Sequence, residues 1–419
     1  MTGVGKTWAQ SAEAFSWGSL VAPGSTIRSL YLMFMCYKSL VVASGGLSTM
    51  DAIWRKVCWS FYWLWMGVWP EEDEFGRPWV SGTLDHARAG TSLAGGFFAT
   101  IWTIKGDLEW LALGLGLNHT SSRDPCAWCR ANESTRPWTN FRLNETMAIL
   151  TEWTPAAWIA AHPQRHRLFR LPGVGLAAVF PDVLHVLHLG VYQYFFGSIL
   201  MFLVAHQLHG DREANLQLVW GMIKQFYIDH HTLYQYGNIR MTMFAPATGQ
   251  FPRLKGRGAE VRGLGRPLLH VFRILMDASS MQQRQMRLAL EFLAKLEDLL
   301  DQHTPNIWRW PAAASAAFLD ATIKFLACQT ALGGHFHGQG VLLFHCTIKS
   351  HIAIHLARMT KYLNPKLAWC YAGEDMMGKV RSLVHGATAS SPPELVVSKV
   401  LDKYMRALSY TVFAESARR

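Results

Sequence analysis

The sequence predicts an α/β chain in which a strand-bearing N-terminal region gives way to a long, mainly helical stretch. Three observations carry this. Apolar segments at residues 14–21 and 27–37 flank Ala22-Pro23-Gly24-Ser25 and read as two strands joined by a turn. Residues 97–104 (FFATIWTI) are a near-continuous run of aromatic and β-branched side chains, as in a strand buried on both faces. From about residue 130 to 343 the apolar positions recur mostly at helical spacing, between long loops.

In chain order, Gly3-Val4-Gly5-Lys6-Thr7 resembles the tail of a phosphate loop but lacks the first glycine and the preceding strand, so no nucleotide site is expected there. Ser48-Thr49-Met50-Asp51 is a capping box. It opens a helix with Ile53, Trp54, Val57, Phe61 and Trp65 inside, ending before Pro70. Residues 71–95 form a polar connection to the 97–104 strand, which Lys105-Gly106 breaks. Asp107 then sits at a helix N-cap, followed by Leu108, Leu111, Ala112 and Leu115 on one face and Gly116 as the stop. A carboxylate at the open end of a central strand is well placed for a metal; the plainer alternative is that Asp107 only caps.

Cys126 and Cys129 follow at CxxC spacing, suited to zinc. Asp182, His185 and His188 cluster downstream, and the two histidines would share a face if the segment is helical. Two thiolates and one or two imidazoles would complete a tetrahedron. Residues 251–266 read as a glycine-rich loop carrying Arg253, Lys255, Arg257, Arg262 and Arg266 against the single acid Glu260. That sign suits phosphate-backbone contact, the alternative being a solvated loop. His351 and His355 lie four apart on a later helix without an obvious third ligand, and are assigned a structural role. Near the end, Glu374 shares a helical stripe with Met377, Val380 and Val384, so it is the acid aimed at the interior. A final amphipathic helix follows Pro392-Pro393.

The totals narrow the class. The chain of 419 residues has 40 Lys and Arg against 29 Asp and Glu, a net +11, which favours a polyanionic partner. Seven scattered cysteines do not form a disulfide framework and indicate a reducing compartment. Residues 1–17 lack the apolar core of a signal peptide. The apolar stretches 59–69 and 191–205 are short for membrane spans, so no stable membrane insertion is expected.

The motif order Lys105-Gly106-Asp107, Cys126-x-x-Cys129, Asp182-Val183-Leu184-His185 and Tyr371-Ala372-Gly373-Glu374 resembles the catalytic domain of eukaryotic cut-and-paste DNA transposases of the CACTA and Plavaka type. The resemblance spans roughly residues 8–385. It implies an RNase H-like mixed sheet interrupted by a large, mainly α-helical insertion. The corresponding divisions are residues 1–125 (N-terminal part of the core), 126–345 (insertion), 346–390 (C-terminal part of the core) and 391–419 (final helix). It further implies that Asp107 and Glu374 are two of three carboxylates holding Mg2+ or Mn2+ for phosphoryl transfer on DNA. A structural Zn2+ would sit on Cys126, Cys129, His185 and His188, with the place of Asp182 left open.

The family's first acid has no counterpart in residues 1–50, and the simplest account places its strand upstream of Met1. The expectation is therefore a catalytically incomplete, transposon-derived protein, nuclear rather than cytoplasmic, with DNA as partner and room for a homo-oligomer. The alternatives are a non-catalytic DNA- or chromatin-binding protein of the same descent, and a membrane-associated protein.

Overall fold

Alternating apolar residues pair β1 (Ala12–Trp17) with β2 (Tyr31–Tyr37) as an antiparallel hairpin in the computed structural model, which describes residues 12–20, 26–42, 48–141, 148–388 and 391–416. The register runs from Ala12 opposite Tyr37 to Trp17 opposite Tyr31, with an irregularity between Phe15 and Ser16. Both expected N-terminal strands therefore have a counterpart, with shifted ends. The turn at residues 22–25 and the glycine-lysine segment at 3–7 lie outside the described residues.

Ser48 caps the helix as expected, but the reciprocal half of the box does not form: the Asp51 carboxylate accepts from the Ser48 hydroxyl (2.9 Å). The Ser48 side chain accepts from the Asp51 amide (3.1 Å) and opens α1 (Thr49–Met66), which ends at Gly67. Trp54 sets its edge against Phe15 of the hairpin at 5.2 Å, and Val57, Cys58 and Trp63 are buried with it. Trp65, expected inside, is exposed.

Two compact units divide the chain. The first comprises residues 1–102, 166–174 and 370–419; the second comprises residues 103–165 and 175–369. In the first unit, β2 is closed by the two last helices, α9 (Tyr371–Thr388) and α10 (Pro393–Ser416). Leu32, Met35 and Tyr37 meet Met376, Val380, Val396, Val400 and Tyr404 in one core, and the Tyr404 hydroxyl donates to the Leu30 carbonyl at 3.1 Å.

The second unit is helical. It contains α2 (Leu108–Leu115), α3 (Leu184–Gln207), α4 (Arg212–Asp229), α5 (Gly258–Leu275), α6 (Met281–Gln302), α7 (Ala312–Gly338) and α8 (Ile348–Met359). α3 is wound as a π-helix over Leu184–Val191, as an α-helix over Tyr192–Phe202 and as a π-helix again over Leu203–Gln207. It is long and apolar enough to cross a membrane, but 83% of its most apolar window is buried among the neighbouring helices. α5, α6, α7 and α8 pack in sequence, each against the next, and α8 also lies on the first turns of α3.

The RNase H-like mixed sheet is overturned by this arrangement. Among the described residues the only sheet is the two-stranded antiparallel hairpin. Residues 97–104, read as its buried central strand, run as extended chain with Phe97 78% and Phe98 69% exposed. Ile104 alone makes a bridge, parallel to Val179. A strand buried on both faces needs ladders on both edges to satisfy its amides and carbonyls. The segment has the side chains of such a strand without the partners.

Candidate metal centre

Four sulfur and nitrogen ligands converge in the second unit. Cys126 and Cys129 lie on a tight, wholly buried loop after α2. The loop is tied down by Trp128, whose carbonyl accepts from Trp153 N–H at 3.1 Å and whose indole donates to the Val179 carbonyl at 2.9 Å. His351 and His355 lie on α8, and their spacing of four puts both rings on one helix face. The Thr347 side chain caps the start of that helix by accepting from Lys349 N–H.

Cys129 Sγ lies 3.2 Å from His351 Nε2, Cys126 Sγ lies 3.4 Å from His355 Nε2, and the two Nε2 atoms are 3.2 Å apart. All four ligand atoms fall within 4.8 Å of one another, and all four residues are buried, at 0–2% exposure. A tetrahedral zinc ion with Zn–N about 2.0–2.1 Å and Zn–S about 2.3 Å has N···N edges of roughly 3.3 Å and S···N edges of roughly 3.6 Å. The N···N edge and the two S···N edges given above match those dimensions within a few tenths of an ångström. It can hold a metal ion such as zinc.

The surroundings prepare it for that. His355 Nδ1 is 3.1 Å from the Glu152 carboxylate, which also receives two hydrogen bonds of 3.0 Å from Arg358. With Nδ1 donating to the carboxylate, Nε2 presents its lone pair to the cluster. Burial holds His351 below the usual histidine range, keeping it neutral and able to ligate. For His355, burial works in the same direction, but the Cys129 thiol and Glu152 outweigh it and raise the ring. Burial opposes ionisation of Glu152 too, yet His355 and Arg358 bring it down to about 2, so the orienting carboxylate is charged. The Cys129 thiol is pushed up to about 11, first by its hydrogen bond to Cys126 and then by burial, so metal binding displaces its proton.

The other residues singled out in the sequence go elsewhere. His185 Nδ1 pairs with Asp182 at 2.6 Å, and the same carboxylate accepts from the amides of Leu184 (3.1 Å) and His185 (3.0 Å), capping α3. His188 is fully buried and reaches Glu297 of α6 at 3.0 Å. The two histidines take different partners, His185 the Asp182 carboxylate beside it and His188 the Glu297 carboxylate of α6. Neither belongs to the Cys126–Cys129 cluster.

Glu297 is the hub of a second buried network. Besides His188 it accepts from the Tyr192 hydroxyl (2.9 Å) and Arg262 Nε (2.7 Å), and Arg262 continues to Asp301 at 2.5 Å. Burial alone would raise this carboxyl; His188 and Arg262 bring it instead to about 2.

Asp107 is an exposed N-cap whose carboxylate accepts from the Trp110 amide at 2.6 Å, and Gly116 ends that helix with φ 68°. Glu374, expected to face the interior, is exposed: the buried stripe of α9 runs through Met376, Val380 and Ala387. Among the described residues neither acid belongs to a cluster of three or more His, Cys, Asp or Glu ligands, so the Mg2+ expectation has no support.

The basic loop is mostly helix. α5 starts at Gly258, with Arg257 N–H donating to Glu260 at 2.8 Å. Arg262 and Arg266 are ion-paired to α6, Arg266 with Asp298 and Asp301. Arg253 donates to the Gln193 side chain (2.9 Å), and Lys255 lies 3.5 Å from the Thr242 carbonyl.

The missed ligands, His351 and His355, were legible as an i, i+4 pair on a helix whose other faces are apolar. Their partners lie 222 and 229 residues earlier, so no local spacing joined them. No protein-family model matches the chain, and no curated protein or solved structure is significantly similar to it.

Proposed function

We propose that this chain is a non-catalytic nucleic-acid-binding protein of transposase descent whose helical unit is held together by a structural zinc ion on Cys126, Cys129, His351 and His355. The observation that carries the reading is the buried cluster itself. Four protein side chains supply as many ligand atoms as a tetrahedral zinc takes, which would leave no position for a substrate or an activated water, and closed sites of this kind hold folds together. The carboxylate behind His355 strengthens it.

The nucleic-acid part rests on the net charge of +11, which draws the chain to polyanions and makes binding depend steeply on salt. The descent rests on the order of the four motifs. A strand-transferase reading gains nothing from Asp107, which caps a helix, or from Glu374, which is exposed on one.

The test is metal content by mass spectrometry on the purified chain, followed by duplex binding across a salt series. About one zinc per chain, lost in Cys126→Ser, and affinity falling steeply with salt are the expected results. A metal-free folded chain would sink the zinc assignment. Salt-insensitive or absent duplex and single-strand binding would sink the nucleic-acid assignment.

A further inference from the structure

The segment of residues 251–255 is pinned against the middle of α3. Leu254 N–H donates to the Gln193 carbonyl at 2.9 Å and Lys255 N–H to the Met243 carbonyl at 2.8 Å. It lies so close that a Cβ at Gly197 would stand 2.9 Å from Leu254 N and 3.0 Å from Arg253 N, so only glycine fits there. Side chains alternate along the segment: Pro252 and Leu254 are buried, while Arg253 and Lys255 are exposed and Phe251 is half-buried. A pinned, alternating segment presents its outward side chains in fixed positions at little further entropic cost.

Those outward side chains extend a ladder of rings. Phe251 stacks on His345, with centroids 4.3 Å apart and planes 21° apart. His345 meets Tyr194 at 5.2 Å, and the Arg253 guanidinium lies over Tyr194 at 5.6 Å. All three rings are partly exposed. A further cation joins them. The half-buried stem of Lys349 packs against α3, where a Cβ on Gly190 would stand 2.7 Å from Lys349 Cδ. Cations beside half-exposed rings match a ligand that alternates flat apolar groups with anions.

We propose that this surface of Phe251, His345, Tyr194, Arg253, Lys255 and Lys349 binds single-stranded nucleic acid, its rings stacking on bases and its cations pairing with backbone phosphates. The inference rests on the nucleic-acid reading above and makes it specific. In a duplex the base faces are already stacked on one another, so a ring platform gains contact only with an unpaired strand. The phosphates then fall to Arg253, Lys255 and Lys349.

The experiment measures fluorescence anisotropy of labelled 15-nucleotide oligo-dT and oligo-U, and of a duplex of the same length, with the zinc-loaded full chain and its variants. Phe251→Leu is expected to weaken single-strand binding about tenfold, the loss of roughly one base stack, and to leave duplex binding within about twofold. Phe251→Trp, which keeps a stacking face, is expected to retain affinity. Arg253→Gln is expected to lower the log–log salt slope by about one. Melting curves confirm that each variant is folded.

Single-strand affinity unchanged in a folded Phe251→Leu protein, or a wild-type preference for the duplex, overturns this inference alone. Absence of binding to every probe overturns the nucleic-acid reading as well.

Discussion

Two polar clusters in the helical unit both enclose buried histidine and differ in what faces it. Around Glu297, the carboxylate accepts from His188, Tyr192 and Arg262, so donors and acceptor are matched and the charges compensate. Around Cys129, two thiols and two imidazole nitrogens face one another at 3.2–3.4 Å, with no carboxylate among them and more lone pairs than protons to share. The first cluster is complete as a protein. The second can hold a cation at its centre. Both contain buried histidine, so the direction of the lone pairs, and not the histidine itself, marks the cluster that can hold a metal.

That contrast is tested most sharply by removing the cation. A strong chelator, or Cys129→Ser, is expected to abolish zinc binding and destabilise the helical unit by on the order of 5 kcal/mol or more, given that structural zinc contributes about 10–16 kcal/mol in small modules. Calorimetry with and without chelator reads this, and an unmoved melting transition would put the two clusters in the same class.

Next in size is Glu297→Ala, which removes the carboxylate that fully buried His188 and half-buried Arg262 share and is expected to cost about 3 kcal/mol in denaturant unfolding, with zinc content unchanged. Its pH signature is specific. The folded value of Glu297 lies near 2, below the ordinary carboxyl value of 4.5, so the unfolded chain takes up the proton first. Its contribution is intact above about pH 4.5 and fades as the pH falls towards 2. The stability gap between wild type and Glu297→Gln should therefore shrink across that window; a gap that widens would mean the carboxyl is not ionised in the fold.

A smaller effect is expected from Glu152→Gln, which keeps the ligands but weakens the partner that orients His355. Zinc affinity should drop about 10- to 100-fold in competition titrations, with the ion still bound at saturation. Smallest is Asp107→Ala. Losing this N-cap is expected to cost about 1 kcal/mol, with no change in zinc content and no change in response to magnesium. A magnesium-dependent stabilisation that vanishes in this variant would reopen a metal role for Asp107.

What the sequence disclosed follows the range of the forces involved. The Ser48 and Asp107 caps act within one helical turn, and both form where the residues indicate. The 97–104 run has strand-forming side chains, but a strand exists through its neighbours, and one bridge at Ile104 does not make a sheet. Arg262 and Arg266 look like free charge beside a single glutamate; the acids that neutralise them lie 32 to 39 residues further along, on α6. The CxxC pair was legible as a ligand pair. The expected partners His185 and His188 pair with Asp182 and Glu297 instead, and the histidines that do meet the thiols lie 222 and 229 residues further along, beyond any local spacing.

The separation of 222 residues between Cys129 and His351 also sets a clock. At translation rates of about 5–20 residues per second, roughly 10–45 s elapse between the emergence of the second thiol and that of the first imidazole. For that interval the two thiols hold at most half of a tetrahedron, open to oxidants and to stray soft metals. The helices from α3 to α7 are all synthesised before the four ligands can meet, so a metal ion held there would close the site as a late step rather than as a nucleus.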